Sequence, residues 1–172
     1  MARVKPIALD PIAEARRQWV AHGWVDAADG MTTVTSVMRA HQLLLARVDE
    51  ALKPFALTFA RYELLTLLSF SREGRMPLSS AARRLQVHPT SVTNTVDRLE
   101  AAGHVRREPH PTDGRTTLVV LTDPGRVLAA EATVALNREV FRDVGIGSDD
   151  ASRLAAIVTR LRTSAGDVTE SD

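Results

Sequence analysis

The sequence predicts a mainly α-helical chain with one small β-hairpin near its middle. Three observations point there. Stretches on both sides of the middle repeat apolar residues at helical spacing, as in Val34, Val37, Met38, Leu44, Leu45, Val48 and Leu52, with His41 on the same stripe. Between them stand two short helical patterns, "SAARRL" and "PTSVTNTVDRLEAAG", separated only by "QVH". Directly afterwards comes "HVRREPHPTDGRTTLVVLT", where alternating and β-branched residues flank a Pro-Thr-Asp-Gly turn, as in a hairpin with a long tip.

Each element has its local signal. Asp10 is placed to cap a first helix, and Pro11 sits at its first position, where a missing N–H costs nothing. Ile12, Ala15, Trp19 and Val20 form one face, and Gly23 ends it. "VDAADG" reads as a linker before a long helix from about Thr32 to Lys53, stopped by Pro54. Thr58 caps a second apolar helix, "FARYELLTLLSFS", closed by the polar "SREGRMP". Ser79 reads as the cap of the first short helix; Pro89 opens the second and Gly103 closes it. From Asp123 the helical period returns, carrying Val127, Leu128, Val134 and Phe141, and Ser148 reads as the cap of a last helix. Residues after Gly166 read as frayed.

The expected organisation is therefore an N-terminal helical extension and linker over 1–30, a dimerisation helix over 31–57, a winged helix-turn-helix domain over 58–122, C-terminal dimerisation helices over 123–166, and a flexible tail over 167–172. At 172 residues with 44% hydrophobic and 25% charged side chains, the composition is that of a globular chain. Apolar runs are too short to span a bilayer and no secretory leader opens the sequence, so the chain reads as cytoplasmic with no membrane partner. Having no cysteine, it holds no disulfide, thiolate nucleophile or cysteine-based zinc site. The net charge of +1 is uninformative, but its distribution is not. Arg72, Arg75, Arg83, Arg84, Arg98, Arg106, Arg107 and Arg115 crowd the middle, while Asp149, Asp150, Asp167, Glu170 and Asp172 lie towards the end. A localised polyanion contact suits that pattern, as does a solvated basic surface.

Two short helices joined by a tight turn and followed by a hairpin make a winged helix-turn-helix, whose second short helix enters the DNA major groove. That explains an odd helix face. Thr90, Ser91, Thr93, Asn94 and Thr95 stand where an exposed helix normally carries Glu and Lys. Acids there would meet the phosphates' negative field, whereas short hydroxyl and amide side chains allow close approach and offer donors, acceptors and methyl groups to base edges. At the wing tip, Asp113 and Arg115 flank Gly114. An arginine there fits the narrow minor groove, with the carboxylate expected to hold its guanidinium.

The segment "LSSAARRLQVHPTSVTNTVDRLEAAGHVRREPHPTDGRTTLVVLTDPGR" resembles the DNA-binding domain of the MarR family of bacterial regulators, above all in "VDRLEAAG", "VRREPHPTDGR" and "LTDPGR". The resemblance runs from about Thr32 to Leu161. It implies an obligate homodimer in which the first long helix and the last two helices interlock, with both winged domains on a pseudo-palindromic duplex. Independently, the apolar faces of Thr32–Lys53, Val127–Phe141 and Leu154–Leu161 are too extensive for one winged domain to cover, which marks a partner surface. Carried over by residue, the resemblance places Thr90, Ser91, Thr93 and Asn94 at bases or nearby phosphates, and Arg98 at the backbone or an acid. Arg115 becomes the wing arginine with Asp113 as its partner. Ser79 and Ser80 open the helix that crosses the backbone, and His88 and His110 are further phosphate candidates.

Family members commonly bind small aromatic or phenolic anions between the dimer helices and the winged domain, so a small-molecule effector is expected. The extra N-terminal helix with Trp19 is similar to that of the urate-responsive branch. Glu63 matches that branch's acid, but Thr95 stands where it uses an arginine, so urate is not carried over. Trp19, His41 and Glu63 are the ligand candidates, although Trp19 also reads as a packing anchor and His41 as a core or interface histidine. His22, His41, His88, His104 and His110 show no i, i+4 pairing, so no metal is expected, and no cofactor either. Without H-E-x-x-H, G-x-S-x-G or Walker A motifs, the chain reads as no enzyme. The two remaining expectations are a sequence-specific DNA-binding regulator released by a ligand, and a helical interaction protein whose winged helix contacts protein instead of DNA.

Overall fold

A computed structural model describes residues 9–168. These divide into two compact units that part between Arg47 and Val48. In the first, α1 (Pro11–Ala21) is capped by the Asp10 carboxylate, which accepts the Ile12 N–H at 3.0 Å. Gly23, at φ +83°, breaks the helix before α2 (Val25–Leu52) begins. The expected linker "VDAADG" is thus helical. Its alanines favour the helix, Ala28 is fully buried, and Gly30 alone costs only about 1 kcal/mol. Val34, Val37 and Met38 are exposed, and so is His41, which lies on no buried stripe.

The second unit starts with the end of α2 and a short 3-10 turn, Lys53–Phe55. Thr58 caps α3 (Phe59–Ser69) by accepting the Arg61 N–H. Next come β1 (Arg75–Pro77), α4 (Leu78–Leu85), α5 (Pro89–Ala101), β2 (Val105–Pro109), β3 (Thr117–Leu121), α6 (Asp123–Leu136) and α7 (Ser148–Ser164). The strands form an antiparallel sheet in the order β1-β3-β2. β1 lies inside the stretch read as a polar loop. Met76 faces the core between two exposed or half-buried neighbours, and three residues are too few to show alternation in sequence. Leu64, Leu65 and Leu68 of α3, Val92, Val96 and Leu99 of α5, and Val105, Val119 and Leu136 form the core.

Two expected caps are displaced. Ser79 lies inside α4, because β1 hands over at Pro77, which takes the N-cap position without a side-chain bond. Ser148 is the first residue of α7, and Gly147 precedes it as an N-cap with no side chain to offer. The α6 pattern continues through Asn137–Phe141 as a π-helical turn that keeps Val140 buried. Gly125 is required by packing, since a Cβ there would stand 2.0 Å from the His104 carbonyl oxygen. Asp167 is not frayed: its Oδ1 accepts from Gln86 Nε2 at 3.1 Å and its Oδ2 from Arg162 Nε at 2.6 Å. The rest of the expected tail, 169–172, lies outside the described residues.

Candidate nucleic-acid interface

Burial fixes which face of α5 looks outward. Val92, Val96 and Leu99 point into the core, so Thr90, Ser91, Thr93, Asn94 and Arg98 are exposed and Thr95 is half-buried. His88 caps the helix, its ring Nδ1 accepting the Thr90 N–H at 3.2 Å. That bond places the ring proton on Nε2, which remains a donor at the helix N-terminus. The Thr93 hydroxyl donates to the Pro89 carbonyl at 3.1 Å and that of Thr95 to Ser91 at 2.9 Å. Among the described residues the side chains of Thr90, Ser91, Asn94 and Arg98 have no hydrogen-bond partner. Exposed donors, acceptors and methyl groups therefore share one face with an unpaired cation, which is chemistry able to read a polar, anionic surface.

Arg98 therefore pairs with no acid. The acids beside it are taken instead by Arg107 of β2, which the sequence offered only as one of the arginines crowding the middle of the chain. Arg107 donates to Asp97 at 2.6 Å and to Glu100, whose other oxygen accepts the Arg107 N–H at 2.8 Å. Both carboxylates on the flank of α5 thereby share one cation from the wing, which offsets one of their two negative charges. Burial lowers the Arg107 pKa, but the hydrogen bonds and charges of Asp97 and Glu100 outweigh it and leave the pKa raised. Sequence reasoning missed this clamp, although acids three apart on one helix just before an arginine pair were a visible signal.

At the wing tip the Asp113 carboxylate does not hold the Arg115 guanidinium. Its Oδ1 accepts the Arg115 backbone N–H at 3.1 Å and its Oδ2 the Thr116 hydroxyl at 2.7 Å. An aspartate two residues before an N–H closes an Asx turn on itself more cheaply than it orders a long side chain. The Thr116 hydroxyl and the Arg115 N–H lower the Asp113 pKa. The Arg115 guanidinium is exposed and without a partner among the described residues. His110 supports the turn: its N–H donates to Thr116 at 3.0 Å and its Nδ1 accepts from Thr112 at 3.3 Å.

Ser79 is exposed and Ser80 half-buried in the first turn of α4, within the same unit as α5 and the wing. Trp19 and His41 stand in the other unit, where Trp19 meets Trp24 edge-on with ring centroids 5.3 Å apart. Glu63 is half-buried on α3, and burial raises its pKa. Among the described residues no group of acids and histidines could hold a metal ion, and no helix is long and apolar enough to cross a membrane.

Comparison with known proteins gives this arrangement a family. A family model described as "MarR family" matches residues 57–117. Sco5413, a MarR family transcriptional regulator from Streptomyces coelicolor, is 46% identical over 83% of this chain and 99% of its own, with a TM-score of 0.75. Sco3205, a MarR family regulator from the same organism solved in complex with DNA, covers 94% of this chain and 92% of its own at 24% identity and a TM-score of 0.67. An uncharacterized HTH-type transcriptional regulator of Mycobacterium leprae is 39% identical over 41% of this chain and 49% of its own. The match thus spans about half the length of such curated relatives. The winged unit built around α5, and an identity of 46% across nearly all of Sco5413, show that the chain belongs to the MarR family of transcriptional regulators.

Proposed function

We propose that the chain is a homodimeric, sequence-specific DNA-binding regulator, a repressor released from its operator by a small ligand. One observation carries the DNA reading. The exposed face of α5 holds unpaired Asn94 and Arg98 while its flanking acids are both paired with Arg107, and Arg115 stands free on the adjacent wing. In this reading α5 enters the major groove, where Asn94 is suited to a bidentate pair with adenine and the Thr93 methyl to thymine. Arg115 enters the minor groove, and Ser79, Ser80 and His88 Nε2 meet phosphates. Asp113 serves by shaping the turn that presents Arg115. The complex of Sco3205 with DNA supports the reading, because the same fold there carries DNA.

Val34, Val37 and Met38 on α2, Val134 on α6, and Leu154, Ile157 and Leu161 on α7 are all exposed. These apolar faces support a homodimer, which would set two copies of α5 about one helical turn apart, roughly 10 bp, or a multiple of it. Ligand release rests on the family resemblance, with Glu63, Trp19 and His41 as the side chains to test. Selection from a random duplex pool should return a pseudo-palindrome bound with steep salt dependence. A compound screen for release then tests the effector. Recovery of no preferred sequence, with binding insensitive to salt, would remove the DNA reading.

A further inference from the structure

The wing has a second cationic site at its base. A groove of about 370 Å³ runs between β1 and the start of the wing loop, walled by Arg72, Arg75 and His110 and floored by Met76 and Leu118. Sheet register explains why these meet. Pro77, at the end of β1, pairs with Leu118 of β3, while His110 bonds to Thr116 just before that strand, so the end of β1 and the start of the wing loop lie side by side. Arg72 precedes β1 at the far end of the strand, where Leu121 donates to the Gly74 carbonyl, and still lines the groove. Arg75 is held in place by Glu73, whose Oε2 accepts from its Nε at 2.7 Å. Arg72 is exposed with no partner among the described residues. The Nδ1 of His110 is occupied by Thr112, which leaves an Nε2–H as the ring's free donor.

We propose that this groove is a phosphate subsite, which grips the DNA backbone where the duplex leaves the wing. The inference rests on the DNA reading given above and extends it to residues outside α5 and the wing tip. The shape of the groove decides between occupants. It is shallow and open to solvent, whereas a small-molecule pocket encloses most of its ligand's surface. A backbone that passes over the groove needs only a row of donors, and Arg72, Arg75 and His110 supply one. Contacts of this kind position a protein without reading sequence. Arg72 and Arg75 should therefore strengthen cognate and random duplexes alike. Glu73 limits the site, since its charge offsets that of Arg75.

The test measures duplex affinity against salt for the whole protein and for Arg72→Ala, Glu73→Gln and Arg115→Ala. Arg72→Ala should flatten the log–log salt slope by about one counterion per protomer, equally on cognate and scrambled duplex. Glu73→Gln should steepen it. Ethylation interference should lose a phosphate in Arg72→Ala that Arg115→Ala retains. If the slope flattens in Arg115→Ala but stays at the wild-type value in Arg72→Ala and Glu73→Gln, the subsite is wrong and the DNA reading stands. A wild-type protein without salt-dependent duplex binding overturns both. Saturable binding of benzoate that Arg72→Ala abolishes, with an unchanged duplex slope, would make the groove a small-anion pocket instead.

Discussion

Arg107 of β2 donates a hydrogen bond to Asp97 of α5 at 2.6 Å, tying the wing to the helix proposed to read DNA. The same guanidinium engages Glu100, and it is 27% exposed against 54% for Asp97. One side chain thus ties together the two surfaces that the proposed reading sets in adjacent grooves, and its single charge is shared by two acids.

Arg107→Ala should cost about 1 kcal/mol of stability, because the pairs are partly exposed. Its effect on DNA affinity should be larger than that cost suggests, since two uncompensated carboxylates then flank α5. Adding Asp97→Asn and Glu100→Gln to Arg107→Ala should recover much of the affinity. Titration of the single and triple variants checks this. A triple variant no better than the single one would show that orientation, and not charge, is what Arg107 supplies.

Glu63 bears on stability against pH. Burial raises its folded pKa above the usual glutamate value of 4.5, so between those two values the folded state holds more proton than the unfolded one. Stability contributed at this site is therefore greatest below about 4.5 and falls as pH rises through the folded pKa. Glu63→Gln should raise the thermal midpoint at pH 7, and the gain should shrink to nothing in acid. A gain independent of pH would mean that the carboxylate carries no burial penalty.

Gln86 sits in the left-handed region at φ +54°, in the turn between α4 and α5, and it also binds the end of α7 through Asp167 and Arg162. Gln86→Ala keeps the strained backbone and loses the bonds. Gln86→Gly loses the same bonds but relieves the strain, so it should be more stable than the alanine variant by about 1 kcal/mol. Chemical denaturation of the pair measures that difference.

The parts of this fold that were legible in sequence are those set by local chemistry. The outward face of α5 followed from the spacing of Val92, Val96 and Leu99, and Gly103 at φ +76° closes that helix where the sequence placed its end. What sequence could not show depends on partners far along the chain. β1 exists because Met76 pairs with Val119, whereas the Arg107 clamp, to residues seven and ten positions earlier, left a signal in the sequence that went unread. "VDAADG" was misread because polarity suggested a loop where two alanines, one of them the buried Ala28, favour helix. Asp113 was given the right place and the wrong task, since D-x-R is equally the pattern of an acid that bonds the backbone two residues on.

That last distinction sets the final prediction. The Asp113 carboxylate bonds the Arg115 N–H and the Thr116 hydroxyl, so Asp113→Ala removes both and should loosen the tip that presents Arg115. Asp113→Asn keeps a carbonyl oxygen for the Arg115 N–H while deleting a negative charge that would face DNA. The two variants should move affinity in opposite directions: Asp113→Ala weaker than the wild type, Asp113→Asn equal or tighter. Had the carboxylate served to hold the guanidinium, both would weaken binding. Acid supplies an independent check. The hydrogen bonds from Thr116 and from the Arg115 N–H hold the folded pKa of Asp113 below its ordinary 3.8. The turn's contribution is therefore complete above that value and is lost as pH falls through the lowered one. Amide exchange at Arg115 should quicken across that window in the wild type and show no such step in Asp113→Asn. An identical step in both would mean that some other group governs the tip.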